Sequence, residues 1–402
     1  MRIGMVLDHE FPGDIRVENE IIALENAGFE VFIICFDFGI GSTVEYFHRT
    51  KIVRIKINKS IKKKLQALTN TIFNFYPKYW AKKINKFIDN YKIDVLHIHD
   101  LYMFGAGILI KEKYKRKILL VGDLHENYVE GLKKYQFSNT FPGKFLISIP
   151  KWEKSEIEWI HKLDYAITVI EEAVDRYESL GLDRRKFSVV ANYVNIDEYL
   201  KILNAYEVRK DMSLFTATYL GVFDTHRGLE SVVRSIPFIK KSVENIKFVL
   251  VGRGKNLESL KKMAGDLDVL NNISFEGWQP HEKLPAYINA SDICLIPHLK
   301  TVHTDNTIPH KLFQYMLFEK PVVATNCNPI QRIVEETKCG LIYENKNSYQ
   351  FAEAVIKLYN SESLRQQMGT NGKKAVMEKY NWTTTSENLI SMYQIIGEDI
   401  KK

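Results

Sequence analysis

Short apolar runs alternate with longer amphipathic stretches along nearly the whole chain. Arg2–Ile3–Gly4–Met5–Val6–Leu7 has the length and composition of a buried strand, and it ends in a loop broken by Pro12–Gly13. From Ile15 to Asn26, Val17, Ile21 and Leu24 fall on one helical face, and Gly28 follows as a stop. Glu30 to Phe36 reads as the next strand. Strand, helix and strand at this spacing imply a right-handed parallel crossover and a doubly wound sheet. The pattern recurs at 94–100, 117–121, 165–169 and 187–190, where several strands end in polar groups such as His97, His99, Asp100, Asp123, His125 and Glu126. In this architecture ligands bind at the carboxyl ends of strands.

A second series follows. Strands are predicted at 215–222, 246–251, 292–297, 321–325 and 340–343, with helices between them and charged amphipathic helices from Ser348 onward. The expected organisation is two tandem α/β domains, 1–200 and 201–385. A last helix, 386–402, is expected to pack back toward the N-terminal domain. Two such domains bury a cleft suited to a small molecule.

Length and composition agree with two cores. The 402 residues are 45% hydrophobic and 26% charged, and no apolar run approaches the roughly 18 residues of a membrane-spanning helix. The run Met1–Leu7 stops at Asp8–His9–Glu10, which predicts no secretory leader. Cys35, Cys294, Cys327 and Cys339 lack metal-site spacing and read as buried thiols of a reducing compartment. The net charge of +7 is unevenly spread: from Arg49 through Lys86 there are twelve Lys or Arg and no Asp or Glu. Ile61, Leu65, Leu68 and Ile72 follow a helical stripe beside Lys62–Lys63–Lys64, the pattern of an interfacial helix on an anionic membrane. The aromatic stretch 128–149 is a candidate acceptor-side surface beside it. A solvated face is the plain alternative.

The strongest constellation for chemistry is Thr304–Asp305–Asn306–Thr307–Ile308–Pro309–His310–Lys311–Leu312–Phe313–Gln314. Pro309 is placed to open a helix, so the His310 and Lys311 amides, the helix dipole and the Lys311 charge make an anion site. Gln314 lies one turn on, where it can bond a sugar or ribose hydroxyl. A second anchor is Gly221–Val222–Phe223–Asp224–Thr225–His226–Arg227–Gly228, and a third is Gly252–Arg253–Gly254. His298 and His303 read as solvated loop residues. No Asp-x-Asp motif or other metal-ligand set is apparent, and a nicotinamide enzyme is disfavoured because Gly13 is not part of a Gly-x-Gly-x-x-Gly turn.

Taken together, these segments resemble glycosyltransferase family 4 over essentially the whole chain. The residues that carry the likeness are Asp14–Ile15–Arg16–Val17, 94–100, 123–126, 164–169, Asn192–Tyr193–Val194–Asn195, 221–228, 252–254 and 304–316. The resemblance implies a GT-B fold of two Rossmann-like domains facing a central cleft. It implies a retaining, metal-independent transfer of a hexose from a nucleotide sugar to a lipid-linked or polysaccharide acceptor, in cell-surface glycan biosynthesis. The expected setting is cytoplasmic, with the protein peripheral on the inner face of the cell membrane and no nucleic-acid partner. It assigns catalysis to His125, Arg227 and Lys311. Donor binding falls to Gly13, Gly252, Gly254, Asn306, Thr307, Ile308, His310 and Gln314, and the acceptor side to Asp14, Arg16 and Glu126. Two departures stand out. Many members carry two Glu residues where this chain has Asn306 and Gln314, and an Arg where it has Val222. Amides keep hydrogen-bonding capacity but lose the charge. The alternatives are therefore a catalytically silent GT-B subunit that binds a partner glycosyltransferase, and a nucleotide-sugar epimerase.

Overall fold

The computed structural model describes residues 1–39, 45–71, 74–134, 147–202 and 205–401. It divides into two compact units, Met1–Ala191 with Thr385–Lys402, and Asn192–Thr384. Residues 192–200, placed with the first domain by sequence, therefore belong to the second unit.

The first unit is an eight-stranded sheet made of β1 (Arg2–Val6), β2 (Glu30–Asp37), β3 (Tyr46–Phe47), β4 (Thr50–Lys56), β5 (Val95–His99), β6 (Leu119–Leu124), β7 (Tyr165–Thr168) and β8 (Phe187–Val189). Their order is β3-β4-β2-β1-β5-β6-β7-β8, and every pairing is parallel except the short β3–β4 ladder. β1 is central, with Ile3 in register with Val31 on one side and Val95 on the other. A strand flanked on both sides and covered on both faces must be apolar throughout, and Ile3, Met5 and Val6 are fully buried. β4 went unpredicted because Lys51, Arg54 and Lys56 break up its apolar residues, so charge obscured a strand.

The second unit is a six-stranded, wholly parallel sheet. Its strands are β9 (Phe215–Leu220), β10 (Ile246–Val251), β11 (Ile273–Gly277), β12 (Ile293–Ile296), β13 (Val322–Thr325) and β14 (Gly340–Tyr343). The order β11-β10-β9-β12-β13-β14 reverses direction at β9, between β10 and β12. That reversal is the switch point at which such sheets open a crevice. Helix Leu229–Ile239 presses Leu229, Val232, Val233 and Ile236 onto β9 and β10 residues such as Ala217 and Phe248, which anchors the loop before it.

All four cysteines are buried and unpaired. Among the described residues, no helix is long and apolar enough to cross a membrane. The expected lipid-facing stripe does not form as read. Helix Lys59–Ala67 ends before Leu68, Ile61 is exposed, Leu65 packs against the core, and Ile72 lies outside the described residues. Lys62 points inward, its Nζ 2.8 Å from Asp8 Oδ2. The buried Asp8 carboxylate also accepts from Tyr76 and Tyr102 at 2.8 Å each, and a buried anion needs such partners. Of the aromatic stretch 128–149, Tyr128 packs against Trp152 and Tyr102, while 135–146 lie outside the described residues.

Candidate functional site

In the second unit, the turns after β9 and β10 and the start of helix Lys311–Leu317 surround a cavity of about 520 Å³. The residues lining it include Gly221, Arg227, Gly252, Arg253, Trp278, His310, Lys311 and Gln314, and no carboxylate. The glycines shape the rim. Gly252 has φ 145°, and a Cβ there would lie 1.8 Å from the Gly221 carbonyl oxygen. At Gly221, with φ 143°, a Cβ would lie 2.6 Å from Lys311 Nζ. A Cβ on Gly254 would lie 2.0 Å from the Phe223 carbonyl oxygen, and Gly254 does not line the cavity. Gly252 and Gly254 are thus first of all packing glycines.

Arg227 ends the turn Thr225–Arg227, held by the Asp224 cap. Its Nη1 donates to His298 Nε2, and its Nε is buried with no hydrogen-bond partner. His298 is buried, not solvated. Burial pushes its pKa well down, helped by Lys311 and Arg227, so it is neutral and able to accept. Lys311 Nζ lies over the Tyr219 ring, 4.1 Å from its centroid. Burial and then the neighbouring Arg227 charge lower the Lys311 pKa well below the usual range. Basic groups crowded together with no lining carboxylate favour capture of an anion, which in turn favours the charged form of Lys311.

Helix Lys311–Leu317 is capped at His310, so Pro309 sits one residue ahead of the cap rather than opening the helix. Gln314 is buried and its amide nitrogen contacts Tyr199 Oη and, at 3.0 Å, His310 Nδ1. Tyr199 Oη also lies 2.8 Å from His281 Nε2. Burial lowers His310 to about 4, with His281 adding to it. Asn306, Thr307 and Ile308 do not line the cavity. The Asn306 amide donates to the Val302 carbonyl at 2.8 Å, Thr307 Oγ1 donates to the His303 carbonyl, and Ile308 is buried. His226, next to Arg227 in the turn, lies 3.9 Å from Asp224 and does not line the cavity. Trp278 and Arg253, 5.8 Å apart, both line the cavity; Arg253 was part of the Gly252–Gly254 anchor, whereas Trp278 was not singled out because a Trp after a short strand carries no motif.

The first unit gathers a different set at the ends of β5 and β6. His125 Nε2 lies 3.1 Å from Asp123 Oδ2 and 3.0 Å from His99 Nδ1, and its Nδ1 is 3.8 Å from Asp100 Oδ1. Burial alone would lower His125, but Asp123 and Asp100 overcome it and hold the ring at about 9. Arg16 donates through Nη2 and Nε to Asp123 and through Nη1 to the Val190 carbonyl, and its Nε is 3.0 Å from Glu20 Oε1. Asp14 caps helix Ile15–Asn26 and meets His9 Nε2 at 3.1 Å. Glu126 is exposed. Gly13 has φ 129° and open space around its Cβ direction, so glycine is required there by conformation rather than by close approach.

The absence of a metal-ligand set needs correction. Ligand atoms of Glu20, His97, His99 and Asp123 lie within 4.8 Å of one another, all buried. Their chemistry suits a divalent ion. The Arg16 guanidinium already lies 3.0 Å from Glu20 and 2.9 Å from Asp123, so a protein cation stands at the carboxylates a metal would use.

Comparison with known proteins places the chain in a family. The model for Glycosyltransferase Family 4 matches residues 15–198, and that for Glycosyl transferases group 1 matches residues 203–375. An uncharacterized glycosyltransferase of Methanocaldococcus jannaschii is 24% identical over 77% of this chain and 76% of its own. A phosphatidyl-myo-inositol mannosyltransferase of Propionibacterium freudenreichii subsp. shermanii is 22% identical over 99% of this chain and 96% of its own. The crystal structure of Anabaena HepE in complex with UDP aligns with a TM-score of 0.72 at 14% identity, covering 98% of this chain and all of that one. With two parallel α/β units and both halves matched, the chain belongs to the group 1, family 4 glycosyltransferases of GT-B fold.

Proposed function

We propose that this glycosyltransferase moves a hexose from a nucleotide sugar to a lipid-linked or polysaccharide acceptor, with retention, in the making of cell-surface glycans. The observation that carries the reading is the second unit's cavity, where Arg227, Arg253 and Lys311 meet without a carboxylate and a buried Arg227 Nε lacks a partner. A diphosphate satisfies such a site. The UDP held by the HepE structure and the phosphatidyl-myo-inositol acceptor named for one relative support the donor and acceptor classes.

In this reading the bond from the sugar's anomeric carbon to the diphosphate oxygen breaks, and its electron pair leaves with the nucleotide. The acceptor hydroxyl oxygen bonds that carbon from the same face, and its proton passes to the departing diphosphate. Arg227 and Lys311 stabilise the leaving charge, which is electrostatic rather than nucleophilic catalysis. His125, held at about 9, is cationic at neutral pH and serves as a hydrogen-bond donor rather than a general base.

Arg227→Ala and Lys311→Ala should each weaken UDP or GDP binding by about 1.5–3 kcal/mol, measured by calorimetry, with little change in melting temperature. Unchanged affinity in both variants would overturn the donor site. Protein cations also replace a bridging metal, so turnover should continue in excess EDTA; loss of activity restored by Mg²⁺ or Mn²⁺ would count against this.

One observation favours the silent-subunit reading: Gln314 and Asn306 already bond within the protein. Transfer activity across UDP-, GDP- and dTDP-sugars, in wild type and Gln314→Glu, separates the two. A silent subunit shows none in either form.

A further inference from the structure

The cationic block of the first unit is larger than its internal partners require. Arg49 lies 3.7 Å from Glu25, Lys51 pairs with Glu45 at 2.7 Å, and Lys62 pairs with Asp8. Four others come together from two separate elements. Arg54 and Lys56 of β4, and Lys83 and Lys86 of helix Phe75–Tyr91, line one cavity of about 420 Å³. No carboxylate lines it. Among the described residues, Lys56, Lys83 and Lys86 have no acidic partner within ion-pair distance, and Arg54 donates to the Phe11 carbonyl.

The absence of an acid here is constructed. Helix Phe75–Tyr91 carries a single carboxylate, Asp89, and Arg116 draws it away at 2.6 Å while also bonding Asn85. Lys56, Lys83 and Lys86 are exposed, with Lys83 Nζ 5.8 Å from the Tyr79 ring centroid, and together with Arg54 they give the cavity a positive wall that attracts an anion. Aromatic residues line the same cavity: Phe87 is buried in the core, and Tyr91 packs on it with ring centroids 5.4 Å apart. Cations and aromatic carbon in one lining match a phosphate ester, whose oxygens take the ammonium and guanidinium donors while its organic part covers the rings.

We propose that this cavity is a second anion site, for a phosphate or phosphodiester ligand, built into the first unit. The ligand is either the head group of an anionic lipid or a soluble phosphate ester. The inference goes beyond the transferase reading and does not rest on it, because UDP binding by the second unit is measured separately.

The full-length protein is mixed with phosphatidylglycerol or phosphatidylcholine vesicles at about 0.15 M salt, where diffuse attraction is screened beyond about 8 Å. In parallel, glycerol 3-phosphate and inorganic pyrophosphate are titrated by calorimetry. The variant is Lys83→Glu/Lys86→Glu. The control is Lys63→Glu/Lys64→Glu, two exposed residues outside the cavity. The expected result is at least a tenfold loss of binding in the cavity variant, with little loss in the control and unchanged UDP affinity and melting temperature in both. Binding to phosphatidylglycerol vesicles alone identifies a lipid head group, and binding of the soluble esters identifies a free phosphate ligand. No binding of either probe by wild type overturns the proposal. So does an equal loss in cavity and control variants, which would make the block a diffuse cationic face. Tyr91→Ala keeps the charge and should lower affinity for the esters but not for pyrophosphate; equal loss for both would remove the aromatic wall from the site.

Discussion

The buried Asp123 accepts three hydrogen bonds from Arg16 and meets His125 Nε2 at 3.1 Å, with His97 and His99 at 3.7 and 3.4 Å. Burial would raise its pKa, but Arg16 and His125 hold it well below the usual range. Glu20 is in the opposite position. Burial raises its pKa well above the usual value, because Arg16 is already satisfied by Asp123 and one cation does not ionise two buried carboxylates. An acid whose folded pKa is raised lends stability at low pH and loses it as pH rises. At pH 7 Glu20→Gln should therefore be neutral or stabilising, whereas Asp123→Asn should cost about 3–5 kcal/mol by leaving Arg16 and His125 buried without their anion. Urea midpoints of the two variants test this, and equal destabilisation would refute the assignment. Arg16 and His125 were legible as site residues in the sequence. Asp123 was visible as a strand-end polar group, but its pairing with Arg16, 107 residues away, was not, because only the folded sheet joins them.

At the scale of elements, the turns after β9 and β10 work as one piece. Gly221 and Gly252 touch backbone to backbone, so the cavity rim depends on a glycine that itself contacts no charge. Gly252→Ala should destabilise the second unit by about 1–3 kcal/mol and weaken UDP binding together with it, since φ 145° strains any side chain and the Cβ meets a carbonyl. Gly13→Ala, in open space, should cost conformational strain alone. Parallel melting curves and nucleotide titrations check both. The alternation of strands and helices was readable because buried parallel strands are apolar throughout. β4 and β11 were not, since both carry charged or polar residues among few apolar ones. The helical stripe at 61–72 misled for a related reason: periodicity gives a face but not what lies beneath it, and Lys62 turns inward to Asp8.

At the scale of the whole molecule, the first unit is discontinuous in sequence. Residues 385–402 bring Leu389, Met392, Tyr393 and Ile396 into it fully or nearly buried. Tyr393 Oη lies 2.9 Å from His97 Nδ1, and Tyr165 Oη donates to Asp399 at 2.7 Å. Removing residues 385–402 should lower the first unit's melting temperature or abolish its transition. Tyr393→Phe should cost about 1–3 kcal/mol by leaving His97 Nδ1 unsatisfied in the interior. Calorimetry resolves the two transitions, and an unchanged first-unit melt after truncation would refute this.

This discontinuity also sets an order of events during synthesis. The second unit's residues 192–384 must all be translated before the helix that seals His97 becomes available. At about 5–20 residues per second, the sheet made first waits on the order of 10–40 s for its last piece. The second unit, contiguous in the chain, has no such wait. Through that interval Arg16, Glu20, His97 and Asp123 lack the Tyr393 side of their enclosure. The nascent chain therefore carries this charged interior open to water until residues 385–402 are made, and the buried ion network forms late although most of its residues are made early.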